Sequence, residues 1–229
     1  MNGRQFQRQN ATEQQKALKT AVRKHLSADA LINIARSSFE QVSEPSNGNP
    51  KIPIADALMS AFAMFSLKSP SLLAFENAWK EGDSNLKSIY KINSIPSDTQ
   101  MRTRLDLVAP DDLRSAHNAI FNELQRGKAL EKMQYLEEGY LMANDGTTYF
   151  SSENLYTPFC LQKRSKSGKT TYHLQIQQAA LVHPDLREVI PLIAEVISRQ
   201  DGENKNDCEM NASRRLLSKF RLEHPPILK

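Results

Sequence analysis

The chain has 229 residues, 39% hydrophobic and 7% aromatic. That suffices for one large domain or two small ones, with a modest core. A formal charge of +4 and a pI of about 9.0 are compatible with an acidic partner such as DNA but do not demand one.

The two cysteines, Cys160 and Cys208, imply no disulfide framework and suit a reducing compartment. The start, Met1 to Gln9, has no apolar core of a secretory signal. The longest apolar run, Ile54 to Leu67, is broken by Asp56 and two serines. It falls short of the ~20 apolar residues of a membrane span. The expectation is a cytoplasmic protein without a membrane segment.

Helical periodicity dominates before about Lys128, and β-type runs follow. A first helix is expected from Thr12 to His25, in a start where Arg4, Arg8, Lys16, Lys19, Arg23 and Lys24 face only Glu13. Ser27 is placed to cap a second helix through Ile34 and Phe39. Pro45 to Pro50 reads as a loop. Ile54–Leu67 is apolar on nearly every side and predicts a buried central helix. Ser69 then Pro70 reads as cap and first position of a helix through Phe75 and Trp79.

A short helix through Leu86 and Tyr90, a turn at 91–96, and a helix opened by a Ser97/Gln100 capping box come next. Thr99, Gln100, Arg102, Thr103 and Arg104 are expected on the exposed side of that last helix. The order fits a DNA-reading helix-turn-helix, but the spacing fits slightly better an ordinary helical hairpin with a solvated face. A longer helix follows Pro110 and ends near Gly127.

After this boundary, Tyr140–Phe150, Thr170–His183 and Val189–Ile197 read as three strands. Pro191 suits an edge, and Lys166 to Lys169 is turn chemistry. Asn206 opens a helix with an apolar stripe of Cys208, Ala212, Leu216 and Phe220. The reading is α+β: helices over 1–127, then a sheet with a helix over 128–229.

Four stretches carry a resemblance: Ile54 to Lys68; Pro96-Ser-Asp-Thr-Gln-Met-Arg102; Asn144-Asp-Gly-Thr147 with Tyr149-Phe-Ser-Ser152; and Gln200-Asp-Gly202 with Asn206-Asp-Cys-Glu209. Together they resemble bacterial insertion-sequence transposases of the DDE, RNase H-like superfamily. The resemblance implies DNA transposition, by Mg²⁺-dependent cleavage at element ends and strand transfer. It implies an incomplete RNase H-like domain, a three-stranded antiparallel meander plus crossover helix. Members continue past a motif like His224-Pro225 into a strand with a second aspartate, and later a glutamate, so the chain reads as a truncated and inactive form. The alternative is a module that binds DNA, or pairs with intact transposase and modulates it. Self-association is the other partner expected.

The candidate metal ligand is Asp145, because metal-dependent phosphoryl transfer needs carboxylates on rigid elements. The competing reading of Asp145-Gly146 is a hairpin turn. Glu209 is a second catalytic candidate, against a role as a helix-capping acid; Asp201 and Asp207 are further acids of interest. Lys163, Arg164, Lys166 and Lys169 form a basic cluster suited to phosphate contact. Cys160, with Thr157 three residues before it, reads as a buried small side chain. The strand carrying Asp145 is expected at an open edge of a three-stranded antiparallel sheet, or covered there by a substitute element.

Overall fold

The computed structural model describes residues 13, 15–22, 24–45, 48, 50–81, 84–136, 139–157, 159–198 and 208–224. The chain forms two compact units, Met1–Ala129 and Leu130–Lys229. The first is helical, and the second is a β-sheet carrying a helix. Among the described residues no helix is long and apolar enough to cross a membrane.

In the first unit, residues 15–22 are helical, while Thr12, Arg23 and the arginines before them lie outside the described residues. Six further helices follow: α1 (Ala28–Phe39), α2 (Ile54–Ser66), α3 (Leu72–Lys80), α4 (Asn85–Tyr90), α5 (Asp98–Leu105) and α6 (Arg114–Arg126). Ser27 caps α1 by accepting from the Ala30 N–H at 3.2 Å. The expected start at Ser69 and Pro70 is corrected to Ser71, whose hydroxyl accepts from the Ala74 N–H at 3.1 Å. The reason is local: Lys68 turns left-handed and the Ser69 N–H closes onto the Met64 carbonyl, so Ser69 finishes α2. Pro110–Leu113 is a 3₁₀ turn that leads into α6.

Helix α2 is central through its first half only. Ile54 to Ser60 and Ala63 are buried, whereas Phe65 is exposed. The apolar core joins Ile32, Ala35, Met59, Ala63, Phe75, Leu86, Ile92 and Met101. Asp56 is 1% exposed within it. Its carboxylate accepts from the Arg36 guanidinium of α1 and from the Ser94 N–H at 2.7 Å. A buried carboxylate is stable only when so partnered. Pro53 offers no side-chain cap to α2, and Glu44 supplies one by accepting from the Ile54 N–H at 3.0 Å.

The second unit has β1 (Gln134–Tyr135), β2 (Gly139–Ser152), β3 (Leu161–Arg164), β4 (Thr170–Val182), β5 (Ile190–Ile197) and α7 (Glu209–Glu223). All pairings are antiparallel. β4 pairs with β2 over residues 172–182. Its other edge takes β3 at residues 170–173 and β5 at residues 175–181. β2 is therefore an edge strand, and among the described residues no strand pairs its outer side over 141–152. The three long strands lie where the alternation put them, with a bulge at Pro191's end of β5. The short strands β1 and β3 were not foreseen.

Helix α7 packs on β5, β4 and β2. Ala212, Leu216 and Phe220 are fully buried. Cys208 is corrected from stripe to exposed N-cap, since the stripe begins only once the helix has started. The expected opening at Asn206 lies outside the described residues. Glu195 of β5 pins α7 by pairing with Arg215 at 2.9 Å and Lys219 at 2.8 Å.

Two predictions follow from the carboxylates of the helical unit. Asp56→Ala breaks a pair whose carboxylate is buried, leaves the half-buried Arg36 with the exposed Glu40 and takes the acceptor from the Ser94 N–H, and should cost ~3–5 kcal/mol, read as a lower urea midpoint; an unchanged midpoint would refute the anchoring role. Glu123 is held below the ordinary carboxylate range, first by its hydrogen bond with His25 at 2.6 Å and then by Arg126, with burial opposing. Glu76 is held down first by the Asp98 N–H at 2.8 Å and then by Lys80. A depressed folded pKa gives stability that is present above the unfolded value, near ~4.3, and lost as pH falls through the folded value. Unfolding free energy measured from pH 6 down should fall less steeply in Glu76→Gln and Glu123→Gln than in the parent; parallel curves would contradict this.

Candidate functional site

The second unit contains the carboxylate candidates. Asp145 lies near the middle of β2, opposite Gln178 of β4. It is exposed, and its Oδ1 accepts from the Gly146 N–H at 2.9 Å. Asp145-Gly146 is thus strand, not hairpin turn. Side chains alternate across a strand, and contacts fix the faces here. The Asn144 amide donates to Ser213 Oγ of α7 at 3.1 Å, so residue 144 faces the helix. Gly146 faces it too: a Cβ built there would lie 2.6 Å from Glu209 Oε1. Only glycine leaves room for the Glu209 carboxylate at that place.

Asp145, between them, points to the face away from α7. The two candidate carboxylates therefore flank β2 at Gly146 from opposite sides. Asp201 and Asp207 lie outside the described residues. Among the described residues no group of three or more His, Cys, Asp or Glu could hold a metal ion. Carboxylate donors suit a hard cation such as Mg²⁺, which binds through one or two carboxylates and otherwise keeps its water. By that chemistry Asp145 fits a single-carboxylate anchor, and the pair does not form a shared cage.

Next to this place is a polar cluster that sequence reasoning missed. Gln177, opposite Gly146, is 3% exposed and its amide donates to Asn144 Oδ1 at 2.9 Å. Asn144, Gln177 and Ser213 thus tie the strand pair to α7. The alternation of β4 was the available signal, because it puts the polar Gln177 on the same face as Ala179 and Leu181.

No protein-family model, curated protein or solved structure matches this chain.

In the helical unit, α5 forms with its capping box intact. Ser97 Oγ accepts from the Gln100 N–H at 3.4 Å, and Gln100 Oε1 accepts from the Ser97 N–H at 3.0 Å. Thr99, Gln100, Arg102 and Thr103 are exposed. The Thr103 hydroxyl donates to the Thr99 carbonyl at 3.0 Å, and Arg102 pairs with Asp98 at 2.7 Å. Arg104 is corrected: it is 8% exposed and ion-paired with Glu44. It lies three residues after the buried Met101, on the face that α5 presents to the core. The connection 91–97 is longer than the three to four residues usual between the helices of a helix-turn-helix.

The basic cluster of the second unit sits on the β3–β4 hairpin. Lys163 and Arg164 end β3, and Lys166 and Lys169 belong to the tip. The tip is closed by Ser165 N–H to the Lys169 carbonyl at 2.8 Å, with Gly168 at φ 85°. Lys169 pairs with Glu153 at 2.6 Å. Cys160 is buried, and its sulfur lies 3.3 Å from the Thr157 nitrogen.

Arg102 and Arg104 should separate cleanly on substitution. Arg104→Ala removes the buried Arg104 side chain together with its ion pair to Glu44 and should lower the thermal midpoint of the helical unit. Arg102→Ala removes an exposed pair worth ~0.3–0.5 kcal/mol and should leave the midpoint nearly unchanged. Equal midpoints for the two variants would contradict the assignment.

Proposed function

We propose that this chain is a DNA-transposition protein of the DDE class. What supports this most is one arrangement: an antiparallel β2–β4–β5 meander with Asp145 on its outermost strand, and a following helix whose first residue, Glu209, lies over Gly146. That order matches what an RNase H-like domain requires of its first three strands and crossover helix. Asp145 is the residue that would hold Mg²⁺, with Glu209 as the second carboxylate of the region. When bound, the ion would supply charge neutralisation to a DNA phosphoryl oxygen. The chain's own residues hold the DNA: Lys163, Arg164, Lys166 and Lys169 by phosphate contact, and Thr99, Gln100 and Arg102 at the exposed side of α5.

Because Asp145 and Glu209 approach β2 from opposite faces, this chain by itself is proposed to bind element ends without cutting them. The outer edge of β2 over 141–152, which no strand pairs among the described residues, favours a second reading. It offers backbone groups to a further strand, as pairing with another copy or with an intact transposase would require.

The test is binding and cleavage on DNA from the ends of the element that carries the gene. Binding should prefer that DNA over random duplex, and its log affinity should fall linearly with log salt. No nicking is expected with Mg²⁺ or Mn²⁺. Equal affinity for random duplex would remove the transposition reading. Nicking that vanishes in Asp145→Ala would instead overturn the claim of inactivity.

A further inference from the structure

We propose that the outer end of the β2–β3–β4 sheet is a stacking site for unpaired bases of single-stranded DNA. The inference rests on the reading of the chain as a DNA-binding protein and adds a ligand class to it.

Tyr156 is 70% exposed and stacks on Tyr172, with ring centroids 5.2 Å apart and planes 30° from parallel. Its outer face is turned to solvent. Tyr149 is 67% exposed and is the extra residue of a bulge, between Thr148, paired with Gln175, and Phe150, paired with Leu174. Bulges re-aim side chains in this way. The segment bearing Tyr156 is fixed at both ends. Ser152 Oγ accepts from the N–H groups of Asn154 and Leu155 at 3.2 and 2.9 Å, and Cys160 is buried beside Thr157. Tyr156 is thus held outward by a built loop, and Tyr149 is set by the bulge.

Cations lie on the same end of the sheet. Tyr172 pairs with Gln162, and Thr170 with Arg164, so Arg164 shares the face of Tyr172. By the same alternation this is the face of Asp145. Lys169 is engaged by Glu153, and no carboxylate pairs with Lys163, Arg164 or Lys166 among the described residues. Exposed rings beside cations that follow a strand are the elements with which proteins hold single-stranded nucleic acid. From Tyr172 to Gln178, the partner of Asp145, β4 advances ~20 Å, room for roughly six stacked nucleotides at ~3.4 Å each. A strand whose base stacks on Tyr156 would therefore run along the face towards Asp145.

Fluorescence anisotropy of the full chain with labelled oligothymidine and with a random duplex tests this. Tyr156→Ala should weaken oligothymidine binding about ten-fold and leave duplex binding unchanged, while Tyr156→Phe should retain parent affinity. Lys163, opposite Thr171, lies on the other face, so Arg164 and Lys166 predict a single-strand salt slope of about −1.4, reduced in Arg164→Ala. Oligothymidine affinity indifferent to Tyr156→Ala, with duplex binding intact, overturns the stacking site and leaves the DNA reading standing. Loss specific to oligothymidine without any duplex binding supports the stacking site and counts against the transposition reading. Binding of neither DNA by the parent chain overturns both.

Discussion

Strand β4 is hydrogen-bonded along both edges, and the second unit is built on that constraint. Buried backbone donors and acceptors must be paired. β2 alone covers the first edge over 172–182, whereas the shorter β3 and β5 share the second end to end. Everything of functional interest follows from this division. β5 fixes α7 through Glu195, α7 carries Glu209 to Gly146, and β3 carries the cations to the far end. β2, whose outer side over 141–152 carries no strand among the described residues, brings Asp145 to the rim of the sheet.

The helical unit solves a different problem by similar means. Its helices are short, so tertiary anchoring rather than propensity has to hold them. Carboxylates do this across long sequence separations. Asp56 joins α1 to the 91–97 connection, Glu44 joins the start of α2 to α5, and Glu76 takes the first N–H of α5. These acids satisfy helix ends and guanidinium groups within the fold. That leaves Thr99, Gln100, Arg102 and Thr103 as the outward side of α5.

Much of this architecture was legible, because some signals are local. The Ser27 cap, the Ser97/Gln100 box, the alternation over 170–182 and Pro191 at an edge each depend on near neighbours in sequence. The failures depend on distant ones. Arg104 looked available because Glu44 is 60 residues away in the chain, although its spacing from Met101 was a readable warning. β3 is too short for alternation to register and exists because β4 offers it an edge. Ser69 failed as a cap because the helix before it needed its N–H. The carboxylates were found by residue type, whereas their opposite faces follow from Gly146 and could be seen only once α7 was in place.

The two rims of the sheet are not equivalent. On β5, Pro191 removes one donor and a bulge interrupts the ladder between Ala179 and Ala180. Such features blunt a strand against further pairing. β2 has no proline along its length. β2, unlike β5, therefore keeps an uninterrupted row of backbone groups over 141–148 for a further strand. Two copies meeting β2 to β2 would form an isologous, two-fold symmetric pair. One proline on β5 and none on β2 thus direct any added strand to the β2 side in preference to β5.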